Sequence, residues 1–252
     1  MLKSERQEMI LKILQENNYT TPQEIAKKVF SSYSSVRRDL EELENAGLIS
    51  RSYGMVKLSN NNSFLVSYPI RINKNSEKKR VIAKEAAKLI GNRSTIFIDS
   101  SSSCSFFAKE LMQLNGITLI TNNVEVVSLM SQSNIEVICS GGVQTSPNRY
   151  ALIGPIAENT FRNVHADWVV FSTHSLTNDG KIYDVNYNET ALRNIMLNNA
   201  DKKMFLCDSS KLYTTSTYYQ CSLSDIDYLV CDSHEAKNFE QQYPNLKIID
   251  VC

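Results

Sequence analysis

Residues 21 to 40 read Thr21-Pro22-Gln23-Glu24-Ile25-Ala26-Lys27-Lys28-Val29-Phe30-Ser31-Ser32-Tyr33-Ser34-Ser35-Val36-Arg37-Arg38-Asp39-Leu40. Thr21 and Glu24 have the spacing of a capping box and Pro22 stands at the first helical position, so a helix starts here with Ile25, Ala26 and Val29 on one face. Phe30-Ser31 turns the chain. Ser32 can cap a further helix in which Val36, Leu40 and Leu43 recur at i, i+4 and i+7 and face inward, with Gly47 as its stop. Upstream, Met9, Ile10, Ile13 and Leu14 form an apolar stripe on a helix from about Glu5 to Glu16. Downstream, Leu48-Ile49-Ser50-Arg51 and Met55-Val56-Lys57-Leu58 flank Ser52-Tyr53-Gly54, which suits a short two-stranded wing.

Helix, capped helix, short turn and third helix is the helix-turn-helix order, in which the start of the third helix enters the DNA major groove. With Val36 and Leu40 inward, Tyr33, Ser34, Arg37 and Arg38 face outward, able to meet base edges and phosphates together. Together with Ser35, and with Arg51, Tyr53 and Lys57 on the wing, they are the candidate DNA-binding residues. Residues 1 to 60 hold nine Lys and Arg against eight Asp and Glu, a net charge of +1 that a solvated charged face would also explain. Distribution favours DNA: the basic residues fall on the groove and wing side, whereas Asp39, Glu41, Glu42 and Glu44 lie further along, where the helix leaves the groove.

The whole chain has 252 residues, 42% hydrophobic, enough for two unequal domains. Ser59-Asn60-Asn61-Asn62-Ser63 cannot join a core, so the expected division is a head over residues 1–58, a linker over 59–75 and a larger domain over 76–252. The 27 basic and 27 acidic residues cancel, so a polyanionic partner must be met by a local patch. The N-terminus lacks an apolar leader and no stretch has the length to span a bilayer, so a soluble, cytoplasmic protein with no membrane partner is expected. The six cysteines contain no C-x-x-C pair and are expected as reduced, mostly core thiols; the three histidines carry no metal-ligand spacing. No metal site and no cofactor is expected, and phosphate-loop, dinucleotide and nucleophile-elbow motifs are missing.

Beyond Ser76 short β-rich runs alternate with longer amphipathic stretches, the pattern of an α/β layer fold with an open, mainly parallel sheet. Thr95-Ile96-Phe97-Ile98-Asp99 is an apolar strand ending in a carboxylate, followed by Ser100-Ser101-Ser102-Ser103 and a helical stretch from Cys104 to Leu114. Ligands of such sheets sit outside the carboxyl ends of strands, where a loop enters a helix N-terminus with free N–H groups. Four hydroxyls there can surround a phosphate; a serine run alone also reads as a solvated loop. Two more strands end in Thr121-Asn122 and in Ser140-Gly141-Gly142. In a chain with 8 glycines, an adjacent pair after a strand points to an unusual backbone conformation, a close ligand approach or an ordinary tight turn. Trp168-Val169-Val170-Phe171 and Met204-Phe205-Leu206-Cys207 read as inner strands. The second leads to Asp208-Ser209-Ser210-Lys211, whose lysine can supply a cation to a phosphate or be a plain surface residue.

Taken in order, these motifs resemble the DeoR family of bacterial transcriptional regulators over nearly the full length. The head carries Ser32-x-x-Ser35-Val36-Arg37-Arg38-Asp39-Leu40 with Arg51 and Gly54. The larger domain carries Glu77-Lys78 before Ile82-Ala83, Asp99-Ser100, Thr121-Asn122, Gly141-Gly142, Gly154, Asp167, Glu189 and Asp208-x-Ser210-Lys211. The resemblance implies a winged-helix head that binds operator DNA, usually as a repressor, and a sensor domain with the fold shared by ribose 5-phosphate isomerase and CoA transferases. That domain would bind a phosphorylated sugar as effector, through Asp99, Ser100, Ser101, Ser102, Ser103, Thr121, Asn122, Gly141, Gly142, Glu189 and Lys211. The family loop is usually Asp-Ser-Gly-Thr-Thr and the wing usually has two glycines; here Ser101, Ser102 and Ser103 replace the glycine and both threonines, and Met55 follows Gly54.

The expected mechanism is ligand-controlled repression by a homo-oligomer, dimer or tetramer, with two recognition helices in successive major grooves about 34 Å apart. Two rival readings stand beside it. One is a sugar-phosphate isomerase or related enzyme with an accessory head, using Asp99, Asp184, Glu189 and Lys211 for proton transfer. The other is a regulator whose sensor domain has lost its ligand and serves oligomerisation only.

Overall fold

The computed structural model describes residues 3–17, 19–45, 49–58, 68–144 and 148–252. They form two compact units, Met1–Lys74 and Asn75–Cys252. In the first, α1 (Lys3–Glu16), α2 (Pro22–Lys28) and α3 (Tyr33–Asn45) surround Ile10, Ile13, Leu14, Ile25, Val29, Val36, Leu40 and Leu43. The start of α2 is fastened by the capping box: the Thr21 hydroxyl accepts from the Glu24 N–H at 3.2 Å, and the Glu24 carboxylate from the Thr21 N–H at 3.0 Å. Ser32 Oγ accepts from the Ser35 N–H at 3.2 Å and caps α3. Strands β1 (Ile49–Ser52) and β2 (Met55–Leu58) pair antiparallel. Tyr53 and Gly54 between them have φ of 51° and 75°, the pair of left-handed residues that a twisted two-residue hairpin turn needs. Val56 and Thr20 exchange N–H···O bonds of 2.7 and 3.0 Å, stitching the wing to the entrance of α2.

Several expectations change. Met9 is 39% exposed at the rim, and the core uses Ile10, Ile13 and Leu14 instead. Asp39, placed by sequence with Glu41, Glu42 and Glu44 where the helix leaves the groove, is 1% exposed on the inner side of α3, where Arg6 of α1 binds both its oxygens. A carboxylate is tolerated there because the guanidinium neutralises it, and the Asp39 hydrogen bond in turn raises the Arg6 pKa. The expected linker is not all linker: α4 (Tyr68–Asn73) lies within it, with Tyr68 2% exposed and Arg71 over its ring at 5.5 Å. An aromatic side chain that finds a burial site overrides the polar composition around it. Gly47, Leu48 and the Ser59–Ser63 run lie outside the described residues.

In chain order the second unit contains α5 (Ser76–Ala87), β3 (Thr95–Ile98), α6 (Ser102–Leu111), β4 (Thr118–Thr121), α7 (Val124–Met130), β5 (Glu136–Cys139), β6 (Val143–Gln144), β7 (Leu152–Ile153) and α8 (Pro155–Arg162). It continues with β8 (Ala166–Phe171), β9 (Ser175–Leu176), β10 (Lys181–Asp184), α9 (Tyr187–Asn198), β11 (Ala200–Cys207), β12 (Tyr218–Ser222), β13 (Tyr228–Cys231) and β14 (Lys247–Asp250). Seven strands form one sheet in the order β14-β13-β11-β8-β3-β4-β5, every neighbouring pair parallel. Alternation divides each central strand between two cores. Ile96 and Ile98, Trp168 and Val170, Met204 and Leu206 meet residues of α5, α6 and α7. Phe97, Val169, Phe171, Phe205 and Cys207 pack with α8 and α9 on the other face. Burial on both faces is why these strands are continuous apolar runs in sequence. A three-stranded antiparallel sheet, β12-β10-β9, and the β6-β7 hairpin are additions that the sequence reading did not contain.

Four cysteines are buried as expected, but Cys139 and Cys252 are exposed. Cys139 ends β5, an edge strand covered on one side only, so its apolar run is not a sign of full burial. Among the described residues no helix is long and apolar enough to cross a membrane.

Candidate functional site

In the head, the outer face of α3 is built by the packing of its inner one. Val36 and Leu40 are fully buried, which turns Tyr33, Ser34, Arg37 and Arg38 to solvent and leaves Ser35 half-buried. Among the described residues neither Arg37 nor Arg38 has an ion-pair partner, so both guanidiniums are available to an anion. The wing residues differ. Arg51 is committed within the head: its Nε donates to Glu44 at 2.7 Å and its N–H to the same carboxylate at 3.0 Å, tying β1 to the last turn of α3. That bond holds the Glu44 carboxyl below its usual range. Lys57 lies over the Tyr19 ring, 5.7 Å from its centroid. Tyr53 is fully exposed at the wing tip.

In the second unit the strand order reverses direction between β3 and β8, and such a reversal opens a crevice at the carboxyl ends of the strands. A buried charge cluster stands at these strand ends. Asp99, following β3, accepts from Arg193 Nε at 2.9 Å, from the Ser101 N–H at 3.0 Å and from the Ser172 N–H at 3.3 Å. Arg193, 2% exposed on α9, also reaches Asp184 at 3.0 Å and the Gln220 side-chain Oε1 at 2.6 Å. Burial alone would lower the Arg193 pKa, but Asp184, Asp99 and Glu189 outweigh it and the guanidinium is held above its ordinary value. Glu189 accepts from Ser100 Oγ at 2.9 Å and from the Asn148 and Asn186 amides at 3.1 Å each.

The serine loop is buried, not solvated: Ser100, Ser101, Ser102 and Ser103 are 1%, 8%, 5% and 3% exposed. Ser101, the residue in place of the family's glycine, is the N-cap of α6 and accepts from the Cys104 N–H at 3.2 Å. Thr121 donates to the Ile98 carbonyl at 2.8 Å and bridges β3 to β4. The Asn122 amide donates to the Leu152 carbonyl at 3.0 Å, while its Oδ1, in a residue 2% exposed, has no hydrogen-bond partner among the described residues. Asn123 is fully buried, capping α7 and reaching back to the Asp99 and Ser101 carbonyls at 3.3 Å.

After β11, Lys211 lies 3.4 Å from Asp208 and donates to Ser172 Oγ at 2.6 Å. Asn75 bonds Asp208 at 3.0 Å and Ser210 at 2.9 Å, and Lys78 lies 3.2 Å from Asp232. Burial would raise the Asp208 carboxyl, but Lys211, the Ser210 hydroxyl, Lys79 and Asn75 hold it well below the usual carboxylate range. Gly141 and Gly142 have φ of 66° and 111°, and a Cβ on Gly142 would stand 2.6 Å from the Ile153 carbonyl. The close approach that Gly142 permits is therefore to β7 of the same chain, while Gly141 faces Ile156 of α8.

The structure thus brings Asp99, Ser100, Ser101, Glu189 and Lys211 together around one set of strand ends and shows most of them bonded to one another. The sequence reading missed Arg193, Asn123, Asn148, Ser172 and Asn75. Arg193 had a signal: Glu189, Arg193 and Met196 fall at i, i+4 and i+7, which puts a charged pair on the inward stripe of α9. His234, Asp250 and Cys252 bring ligand-type atoms within 4.8 Å of each other, but Lys237 already occupies Asp250 at 2.9 Å, the charge a metal ion would need.

Comparison with known proteins matches both units. The family described as the DeoR-like helix-turn-helix domain matches residues 6–62, and the DeoR C terminal sensor domain matches residues 74–233. The chain is 34% identical over 92% of its length to the HTH-type transcriptional regulator GolR of Listeria innocua, covering 92% of that protein. It is 30% identical to the L-fucose operon activator of Haemophilus influenzae, over 98% of each chain, and 25% identical to the glycerol-3-phosphate regulon repressor of Escherichia coli, over 92% of each. Among solved structures, ribose 5-phosphate isomerase A of Methanocaldococcus jannaschii aligns with 55% of each chain at a TM-score of 0.41 and 19% identity.

Proposed function

The chain belongs to the DeoR family of transcriptional regulators, and we propose on that footing that it binds operator DNA through α3 and is controlled by a phosphorylated sugar in the strand-end crevice. The observation that carries the DNA half is the pair Arg37 and Arg38, unpaired on the face opposite Val36 and Leu40. Tyr33, Ser34 and Ser35 add hydrogen-bond groups beside them, Tyr53 extends the surface to the wing tip, and Lys57 sits behind it. Arg51 acts through Glu44 by holding the wing against α3. Homo-oligomerisation, as dimer or tetramer, would supply the second recognition helix for a palindromic site.

In the sensor unit the buried serine loop, the first turn of α6 and Lys211 are the groups suited to a phosphate, and Asn122 Oδ1 offers an unfilled acceptor to a sugar hydroxyl. A buried acceptor without a donor is costly, and a ligand hydroxyl removes that cost. This atom favours a working sensor over one that has lost its ligand. The enzyme reading fares worse, because its three candidate carboxylates are engaged: Asp99 and Asp184 by Arg193, and Glu189 by Ser100. A general base needs a free lone pair facing substrate. Glycine pair 141–142, Thr121 and Asp99 shape the crevice from behind. One relative's printed name concerns a glycerol 3-phosphate regulon, consistent with a phosphorylated effector here.

The test has two arms. DNA selected by the wild-type protein from a random pool should bind, and Arg37→Ala and Arg38→Ala should each reduce that binding at least about tenfold with unchanged melting. A panel of phosphorylated sugars should raise the melting temperature of wild type, a hit at one hundred times its Kd adding about 2.7 kcal/mol. Lys211→Ala should abolish that shift while DNA binding persists. Full DNA binding by both arginine variants would overturn the head assignment.

A further inference from the structure

Phe30 is 92% exposed, and its φ is 49°. A left-handed backbone is easy for glycine and strained for a bulky residue. The chain therefore keeps an aromatic ring at a position where it costs backbone strain and gains no burial. Local structure explains why the conformation is left-handed: the Ser31 N–H bonds the Ala26 carbonyl at 3.1 Å and the Phe30 N–H the Lys27 carbonyl at 3.3 Å, which closes α2. It does not explain the ring.

We infer that Phe30 makes an apolar contact with a thymine methyl group at the edge of the operator, so that the turn itself reads sequence. Phe30 stands two residues before the Ser32 cap of α3, at the end of the helix that enters the major groove. Exposed Lys27 and Lys28 precede it in the chain, and exposed Tyr33, Ser34 and Arg37 follow it. An exposed apolar group between basic stretches of the chain fits DNA, whose major groove offers one apolar feature, the thymine C5 methyl, between rows of phosphates. A protein partner would more often present a wider apolar surface than a single ring can answer. The inference rests on the DNA-binding reading above.

The test uses the full chain and DNA selected by wild type from a random pool, prepared once with thymine and once with uracil, which lacks the methyl group. Phe30→Gly and Phe30→Asn both suit a left-handed position, so their melting temperatures should equal or exceed wild type. Each should weaken binding to thymine DNA about fivefold, the size of burying one methyl group. Wild type should lose the same factor on replacing thymine by uracil, and the variants should show no such loss. Equal binding by wild type and variants would overturn the inference and point to a protein contact; equal losses on both DNAs would overturn the methyl contact in favour of the sugar-phosphate edge. Failure of the DNA-binding reading looks different, since wild type would then select no DNA.

Discussion

Replacing Arg193 by methionine keeps much of the side chain's volume and removes the cation that Asp99 and Asp184 share. Both partners and the arginine are nearly sealed from water, with side-chain exposures of 2% for Arg193, 3% for Asp99 and 12% for Asp184. Removing one member of a buried ion pair costs about 3–5 kcal/mol, because the remaining charge is left uncompensated. Gln220, whose side-chain Oε1 lies 2.6 Å from the guanidinium, loses its donor, worth about 1–3 kcal/mol more if nothing replaces it. The sensor unit spans Asn75–Cys252, a size at which each kcal/mol moves the midpoint by about 2–4 °C. Arg193→Met should therefore lower the sensor transition by roughly 10 °C or more in differential scanning calorimetry, and Arg193→Lys, which keeps the charge but not the fork, by about half as much. A midpoint within about 2 °C of wild type would refute the reasoning, since it would mean that the crevice carboxylates do not depend on this cation.

Four further outcomes follow from the same structure. Asp208 has a depressed folded pKa, so its stabilisation is present above the ordinary carboxylate value of about 4 and is lost as pH falls towards the folded value. Asp208→Asn should cost about 2–3 kcal/mol in urea unfolding at pH 7, with the gap to wild type closing below about pH 4; a gap that widens on acidification contradicts the sign. Gly142→Ala should destabilise the sensor unit by about 2–4 kcal/mol, because the new methyl meets the Ile153 carbonyl at 2.6 Å, and equal stability would show that β7 can retreat. Asp39→Ala should lower head stability by about 1–3 kcal/mol, less than a sealed pair because Arg6 can turn to water, as read from the melting of the head transition. Native protein treated with a maleimide should take up label at Cys139 and Cys252 only, and mass spectrometry finding label at Cys104, Cys207, Cys221 or Cys231 would contradict their burial.

Local signals were sufficient wherever one short segment carries the whole cause. The capping box at Thr21, the inward spacing of Val36, Leu40 and Leu43, and the apolar runs at residues 95–98, 168–171 and 204–207 are decided by neighbours in the chain, and they read directly as helix-turn-helix and buried parallel strands. Asp39 was misplaced because helical spacing alone does not show that Arg6, 33 residues away, waits on α1. Cys139 was not separable from the core cysteines, because an apolar strand reads alike at the edge and the centre of a sheet.

The crevice divides in the same way. Residues at strand ends, Asp99, Ser100, Asn122 and Lys211, could be picked out by position, since any parallel sheet collects its carboxyl ends on one side. What they do there is a property of the assembled fold. Only tertiary structure brings Arg193 from α9 to Asp99, 94 positions earlier, makes Ser101 a helix cap, and sets Gly142 against β7. Charges and lone pairs buried together must satisfy each other, and which partner each one finds depends on distances that sequence separation does not encode.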